Sequence, residues 1–154
     1  MNHELAELIQ TAPAAEIVQL RFALACARRV QHLLESPEVA QELEVLQRHI
    51  DGECDKAALE RAATRAADLA TRHRGSPSID GTAHAAVSAT HCVARAIAGK
   101  AQEAAQYAAY AQVYSYSCHA VTDPAAYAEE HAWQIDAWRA IAESHTVDKR
   151  ATSG

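Results

Sequence analysis

The chain has 154 residues and a mass of 16.6 kDa, which suits one domain with its own core. Alanine fills 37 positions and glycine and proline only nine, so the composition excludes collagen-like, disulfide-scaffold and low-complexity disordered proteins and favours helix. Twenty acidic residues against 14 basic ones give a net charge of −6, and 49% apolar residues indicate a compact soluble protein.

The first predicted helix begins near Pro13 and ends near Glu35, because apolar residues recur on one face throughout this range. Ser36 and Pro37 indicate the N-cap and first turn of a second helix, since proline lacks the N–H that would have no partner there. Gly52 ends this helix. Its apolar positions follow at spacings of three and four residues, and they are Val39, Leu43, Leu46 and Ile50.

Three further helices and one loop are predicted in the middle of the chain. Asp55 is predicted to cap a third helix that ends at Gly75, and residues 75–81 form a loop rich in glycine, serine and proline. A fourth helix is predicted from Thr82 to Ala98, and a fifth from Ala101 to about Ala120.

Asp123 and Pro124 repeat the cap-and-proline start, and they predict a last helix that ends at about Ser144. Residues 145–154 have little apolar surface to bury and are expected to form a flexible tail. Helices joined by short links favour an all-α fold, a single-domain antiparallel bundle of five to six helices over residues 1–144.

The chain carries no sign of export or membrane insertion. Its start has no basic segment followed by an apolar run, which predicts a cytoplasmic protein. The four cysteines form no CxxC pair and are expected to be free thiols. The uncharged stretch 104–122 has near-membrane length but contains glutamine, serine and histidine and no leucine or isoleucine, so it is predicted to be a buried helix.

Acidic residues are concentrated in one segment. Between Glu35 and Glu60 there are eight acidic residues and two basic ones. The charge of this segment, −6, equals the net charge of the whole chain. This pattern fits a solvated helix face or a docking surface for a basic partner protein. Binding of nucleic acid is disfavoured, because phosphates require a basic stripe. The candidate partner-binding residues here are Glu38, Glu42 and Glu44.

The nine histidines do not predict a metal site. The chain has no HxxxH, HExxH or ExxH, and His84 and His91 are seven residues apart, about 10.5 Å along a helix axis. No nucleotide-binding or nucleophile motif is present either, so we expect neither catalysis nor a bound cofactor.

Two polar lines on adjacent helices are open to two interpretations. The first is His84, Ser88, His91 and Arg95, and the second is Tyr107, Tyr110, Tyr114 and Cys118. The first line is either a set of satisfied interhelical hydrogen bonds or a recognition or ligand site, and the second is either a set of core or groove residues or a cofactor site. The candidate residues for a site on this polar face are His84, His91, Arg95 and Tyr107. On the last helix His131, Gln134 and Trp138 share a side, and either tryptophan can serve the core or anchor a partner.

Three stretches resemble one family. They are LRFALACARRV (20–30), HAAVSATHCVARAIAGKAQEAAQYAAYA (84–111) and AEEHAWQIDAW (128–138). They are similar to the alanine-rich, all-helical immunity proteins of bacterial polymorphic-toxin systems, the immunity-five-like group. That group has a small-residue helix with a histidine, here His91, an AA-x-YA turn, here residues 104–108, and a late acidic-x-x-W-Q motif, here residues 130–134. Where its members commonly have arginine before the tryptophan, this chain has His131 and Ala132.

The resemblance implies a non-catalytic protein that binds and neutralises a cognate toxin. It adds Glu130, Trp133 and Gln134 to the candidate partner-binding residues. A small acidic protein is compatible with this function, because an acidic surface speeds encounter with a basic toxin. Two alternatives stay open. One is a bundle that binds a small molecule or metal through His84, His91, Tyr107 and Tyr114, and the other is a scaffold that associates through its alanine faces.

Overall fold

The computed structural model describes residues 1–11, 15–73, 82–116 and 120–152, and all regular structure in these ranges is helical. Three short 3₁₀ helices cover Gln31–Leu33, Ala120–Thr122 and Pro124–Tyr127. The α-helices within the described ranges are α1 (His3–Thr11), α2 (Glu16–Val30), α3 (Pro37–Ile50), α4 (Lys56–Arg72), α5 (Thr82–Ile97), α6 (Ala101–Tyr116) and α7 (Ala128–Thr152). The all-α prediction is therefore confirmed.

The described ranges contain seven α-helices, whereas five to six were predicted, and the missed helix is α1. It is only nine residues long, and it ends before the predicted helix start at Pro13. Pro13 itself lies outside the described residues. α1 is held by tertiary contact: Leu5 is 2% exposed, and the helix packs on α7. Short helices depend on such packing, since an isolated nine-residue helix is marginal in water. The antiparallel order of the whole bundle stays a prediction.

The predicted starts of α3 and α4 and the predicted end of α3 agree with the structure, whereas α4 ends three residues before the predicted stop at Gly75. Pro37 occupies the first turn of α3, and Gly52 follows its end with φ of +79°, a conformation that side chains with a Cβ rarely adopt. The Asp55 carboxylate accepts a hydrogen bond of 2.8 Å from the Ala58 N–H and caps α4. α4 ends at Arg72, and the predicted loop 75–81 lies outside the described residues.

The last helix is longer than predicted. Asp123 and Pro124 begin a 3₁₀ turn rather than α7 itself, and α7 continues to Thr152, eight residues beyond the predicted end near Ser144. The predicted flexible tail is therefore helical over residues 145–152, and residues 153–154 lie outside the described ranges. Lys149 and Arg150 occupy the last turn, where positive charge stabilises the carbonyl end of a helix without any burial.

The core is centred on α2, which contacts α3, α5, α6 and α7. Phe22 on α2 is fully buried, and its ring meets Trp138 of α7 edge to face at 5.3 Å. α5 and α6 form the most extensive helix pair, and their contact consists largely of buried alanine. Within the described residues, buried leucine is confined to α1–α4. α2 therefore lies between leucine-rich packing on one side and the alanine-rich packing of α5 and α6 on the other.

The uncharged stretch 104–122 was predicted to form a buried helix and not a membrane span. The helix predicted from the uncharged stretch is present as α6, and Ala104, Ala108 and Gln112 on it are buried. No helix in the described part of the chain combines the length and apolarity that crossing a membrane requires. Cys26, Cys54 and Cys92 are free thiols, and Cys118 lies outside the described residues.

Candidate functional site

The acidic segment is largely exposed. We define the acidic surface as the exposed acidic residues on α3, next to its two ends and at the start of α4: Glu35, Glu38, Glu44, Asp51, Glu53, Asp55 and Glu60. α3 has 14 residues, so this surface extends over roughly 20 Å of helix and the turns beyond it.

Two of the three acidic residues that sequence analysis singled out on α3 form ion pairs with basic residues outside the segment. Arg65 binds both oxygens of Glu42 at 2.7 and 2.9 Å, and Arg28 binds Glu44 at 2.6 Å. The hydrogen bond from Arg28 lowers the pKa of Glu44. Glu38 is exposed on the first turn of α3. The charge that is available to a partner is therefore smaller than the sequence count indicates.

The late acidic motif forms a contact between α2 and α7. Nε and a terminal nitrogen of Arg29 bind the two oxygens of Glu130 at 2.8 and 2.7 Å, and Glu130 is only 2% exposed. The guanidinium carbon of Arg29 lies 4.4 Å from the centroid of a Trp133 ring, which adds a cation–π contact. Glu130 and Trp133 thus hold the two helices together in this structure.

Gln134 connects three elements. Its side-chain nitrogen donates a 2.8 Å hydrogen bond to the Ala105 carbonyl on α6, and its oxygen accepts one of 3.2 Å from Asn2. The side chain is 1% exposed, so the whole amide is satisfied inside the protein. In this structure the Glu-x-x-Trp-Gln residues contribute to the packing of α7 on α2 and α6.

The polar lines of α5 and α6 meet as two ring stacks, which we call the His–Tyr ladder. His84 stacks on Tyr114 with centroids 5.3 Å apart, and His91 stacks on Tyr107 at 5.0 Å. Residue numbers rise along α5 as they fall along α6, so these two helices run in opposite directions. The ladder is an interhelical contact made by ring stacking. His84 is exposed, and His91, Tyr107 and Tyr114 are half-buried. The ligand-site interpretation stays a prediction.

His91 also lines a cleft of about 120 Å³ between α4 and α5, which we call the α4–α5 cleft. Burial lowers the pKa of His91, and the positive charges of Arg95 and His73 lower it further. Arg95 lines the same cleft and lies 3.9 Å from Glu103. The remaining lining side chains are Ala63, Ala67, Ala70, Thr71, Ala94 and Ala98.

A wider cleft of about 440 Å³ lies where the N-terminus meets α6 and α7. Tyr110 and Tyr127 meet edge to face at 5.8 Å, and Tyr127 stacks on His131 at the same distance. The Tyr127 hydroxyl donates a 2.7 Å hydrogen bond to the Val121 carbonyl. From the sequence, Tyr110 and His131 were predicted on separate helices, and Tyr127 was not predicted to join them. Nothing local indicates that the turn after Pro124 folds back onto α6.

The described residues offer little for catalysis or metal binding. Within the described ranges, no three His, Cys, Asp or Glu side chains are grouped so that they can hold a metal ion. Burial raises the pKa values of the Cys26 and Cys92 thiols, which opposes formation of the nucleophilic thiolate. The geometry of the described residues offers an acidic surface and clefts, among them the α4–α5 cleft and the wider cleft at the N-terminus.

Comparisons of the chain with protein-family models, with curated protein sequences and with solved structures gave no match in any of the three.

Proposed function

We propose that this chain is a non-catalytic binding protein of the cytoplasm that neutralises a bacterial toxin by docking a basic face of it on the acidic surface. The observation that carries the proposal is the exposure of seven acidic side chains on α3, next to its ends and at the start of α4, of which Glu44 is paired with Arg28. The resemblance to alanine-rich immunity proteins supports the same function. An antiparallel bundle, as proposed for this chain, presents such a helix face on a rigid support.

The physical role of the acidic surface is to accelerate association. Complementary charge raises the encounter rate of two proteins, and this effect weakens as salt screens the charges. Arg28 and Arg65 neutralise two acidic residues of the segment, so we assign the steering to the others, with Glu38 and Glu53 at opposite ends of α3.

The flanking genes provide the test. We expect a neighbouring gene for a secreted protein with a C-terminal toxin domain, and co-expression of the chain should restore growth of cells that express this domain. The purified pair should form a stable complex. A neighbouring toxin domain that kills equally well in the presence of the chain would contradict the proposal, as would flanking genes without any toxin.

The rate at which charge-reversal variants of this chain associate with that toxin domain locates the docking surface. Glu38→Lys/Glu53→Lys should slow association at least tenfold at low salt, measured by stopped-flow or surface plasmon resonance. The matched control, Glu7→Lys/Glu143→Lys, changes the net charge equally at exposed acids of α1 and α7. Equal slowing by both double variants would show that net charge, and not this surface, governs association.

The second candidate function is a bundle that binds a small molecule. The observation in its favour is that His91 and Arg95, two of the predicted ligand residues, line the α4–α5 cleft. Protein purified from its native host should then release a small molecule on denaturation, and His91→Ala should lose it. Mass spectrometry of the denatured extract makes the comparison, and identical extracts from both proteins would remove this candidate.

A further inference from the structure

The cleft of about 440 Å³ where the N-terminus meets α6 and α7, which we call the N-terminal cleft, has largely aromatic and apolar walls. Tyr110, Tyr127 and His131 line it, and each of these three rings is half-buried. Val121 and Pro124 add apolar surface. Small-molecule sites measure roughly 300–1,000 Å³ and are lined mainly by hydrophobic and aromatic side chains, so this cleft has the size and the lining of a site for a small ligand.

The aromatic rings of the N-terminal cleft are held in place by the protein itself. The Tyr127 hydroxyl donates to the Val121 carbonyl at 2.7 Å, and the Tyr110 hydroxyl accepts a 3.3 Å hydrogen bond from Gln106. The rings of Tyr110 and Tyr127 stand at 87° to each other. A planar ligand that stacks on one of these rings is therefore perpendicular to the other, and aromatic rings favour both arrangements. Because the rings are already ordered, a ligand pays little to immobilise them.

The lining of the N-terminal cleft favours an uncharged ligand. Among the described residues that line it, none has an aspartate, glutamate, lysine or arginine side chain. Burial lowers the pKa of His131, and the Met1 ammonium lowers it further, so this ring is neutral at pH 7. Met1 itself is 67% exposed, and water and salt screen the charge of its ammonium. A charged ligand would therefore lose hydration in this cleft without gaining a buried partner of opposite charge.

We propose that the N-terminal cleft binds a neutral aromatic compound of one or two fused rings, stacked on one of the two tyrosines and edge-on to the other. Thr122 and His131 also line the cleft, and their side chains can exchange a hydrogen bond with one polar substituent of the ligand. The cleft shares no described residue with the acidic surface or with the α4–α5 cleft. The inference therefore goes beyond both candidate functions and can fail without either of them.

2-Naphthol is the probe for this site, and the imidazole signals of His131 in NMR spectra are the reporter. We expect 2-naphthol to shift these signals in a saturable way. Decahydro-2-naphthol has the same carbon skeleton and hydroxyl but cannot stack, so it should bind at least fivefold more weakly. 2-Naphthoate has the same rings with a carboxylate and should also bind at least fivefold more weakly. A shift that stays linear with 2-naphthol, or equal or tighter binding of either control compound, would overturn the proposal.

Variants of two tyrosines on α6 separate this cleft from binding elsewhere on the protein. Tyr110→Leu removes a ring from the cleft and should weaken 2-naphthol binding at least fivefold, whereas Tyr110→Phe keeps the ring and should stay within threefold of the wild type. The matched control is Tyr116→Leu, because Tyr116 is 70% exposed and does not line the cleft. Its affinity should stay within twofold of the wild type, and thermal unfolding verifies the fold of each variant. Equal affinities of Tyr110→Leu and Tyr116→Leu would also overturn the proposal.

The position of the probe can be measured in the unmodified protein as well. At saturating 2-naphthol, nuclear Overhauser effects should connect its ring protons with those of Tyr110 and Tyr127. This measurement decides the question even if Tyr110→Leu does not fold. Overhauser contacts to other aromatic residues, with none to these two tyrosines, would place the compound elsewhere and contradict the assigned site.

Discussion

Arg29 and Glu130 form one ion pair, but their surroundings differ. The Arg29 side chain keeps 27% of its surface exposed, whereas the Glu130 side chain keeps 3%. Removing one partner of a buried ion pair is costly because the remaining charge loses its compensation, and the cost depends on how well water reaches that charge. The two single substitutions are therefore unequal.

We predict that Arg29→Ala destabilises the protein by about 3–5 kcal/mol, because it leaves the buried Glu130 carboxylate alone. Glu130→Ala should cost at least about 1 kcal/mol less, since the remaining Arg29 still contacts water and Trp133. Urea denaturation at pH 7 gives both free energies of unfolding. Equal costs, or a larger cost for Glu130→Ala, would contradict the assigned asymmetry.

Two histidines couple the stability of the protein to pH. Burial lowers the pKa of His91, with added repulsion from Arg95 and His73. Burial also lowers the pKa of His131, where the Met1 ammonium and His3 repel a proton and Glu130 attracts one. In both cases the unfolded chain, with a histidine pKa of about 6.5, binds the proton more tightly than the folded protein does.

We predict that the contribution of these two histidines to stability is fully present above about pH 6.5 and is lost as the pH falls below it. The thermal midpoint should decrease from pH 7.5 to 5.5, and the double variant His91→Gln/His131→Gln should show a smaller decrease. His145→Gln, on the C-terminal part of α7, is the control and should follow the wild type. An unchanged slope in the double variant would refute the assignment.

The contacts of the His–Tyr ladder were only partly predictable. The seven-residue spacing of His84 and His91 matches that of Tyr107 and Tyr114, and the sequence shows both spacings. Which histidine meets which tyrosine depends on the direction and register of α5 against α6, and helical periodicity within one segment contains neither. The same limit explains why Arg29 could not be paired with Glu130, 101 residues away.

At the scale of the helices, the two predicted N-caps of α3 and α4 differ in the structure. Asp55 accepts the hydrogen bond from Ala58 that a cap residue should accept, and within the described part of the chain the Ser36 side chain makes no such bond. Pro37 gives α3 a first-turn residue without an N–H, so this helix start has one donor fewer to satisfy.

We predict that Asp55→Ala lowers the free energy of unfolding by about 1 kcal/mol, the usual cost of a lost N-cap. Ser36→Ala should change it by less than about 0.5 kcal/mol, because no cap bond is lost. Both values follow from chemical denaturation of the two single variants. A cost for Ser36→Ala as large as that for Asp55→Ala would show that Ser36 caps α3 in solution.

The starts of α3 and α4 were predictable from the residues that precede them, whereas Asp123 and Pro124 begin a 3₁₀ turn and not the predicted helix. Helix ends without a stop signal were not predictable. α3 and α4 begin where the local residues indicated. α7 passes Ser144 because residues 145–152 contain neither glycine nor proline, although residues 145–150 are mostly exposed. α1 was missed because its stability comes from α7, more than a hundred residues later.

At the scale of the whole molecule, the alanine content determines how closely the helices of the C-terminal half approach. Helix axes usually lie about 8–10 Å apart, and small contact residues permit the lower end of this range. On α6 the buried positions are mainly alanine, and Ala104 is completely inaccessible. The structure therefore identifies which alanines of α6 are buried, a distinction that the composition alone does not contain.

A larger side chain at such a position should be as harmful as a cavity elsewhere. We predict that Ala104→Leu costs about 1–3 kcal/mol, because close-packed helices cannot separate without losing other contacts. Ala140→Leu, at an exposed site on α7, should be close to neutral, since leucine and alanine have similar helix propensity. Thermal and urea unfolding of both variants make the comparison. Equal stability of Ala104→Leu and Ala140→Leu would contradict the prediction. It would show that the interior around α6 has space for a leucine side chain and that its helices are not closely packed.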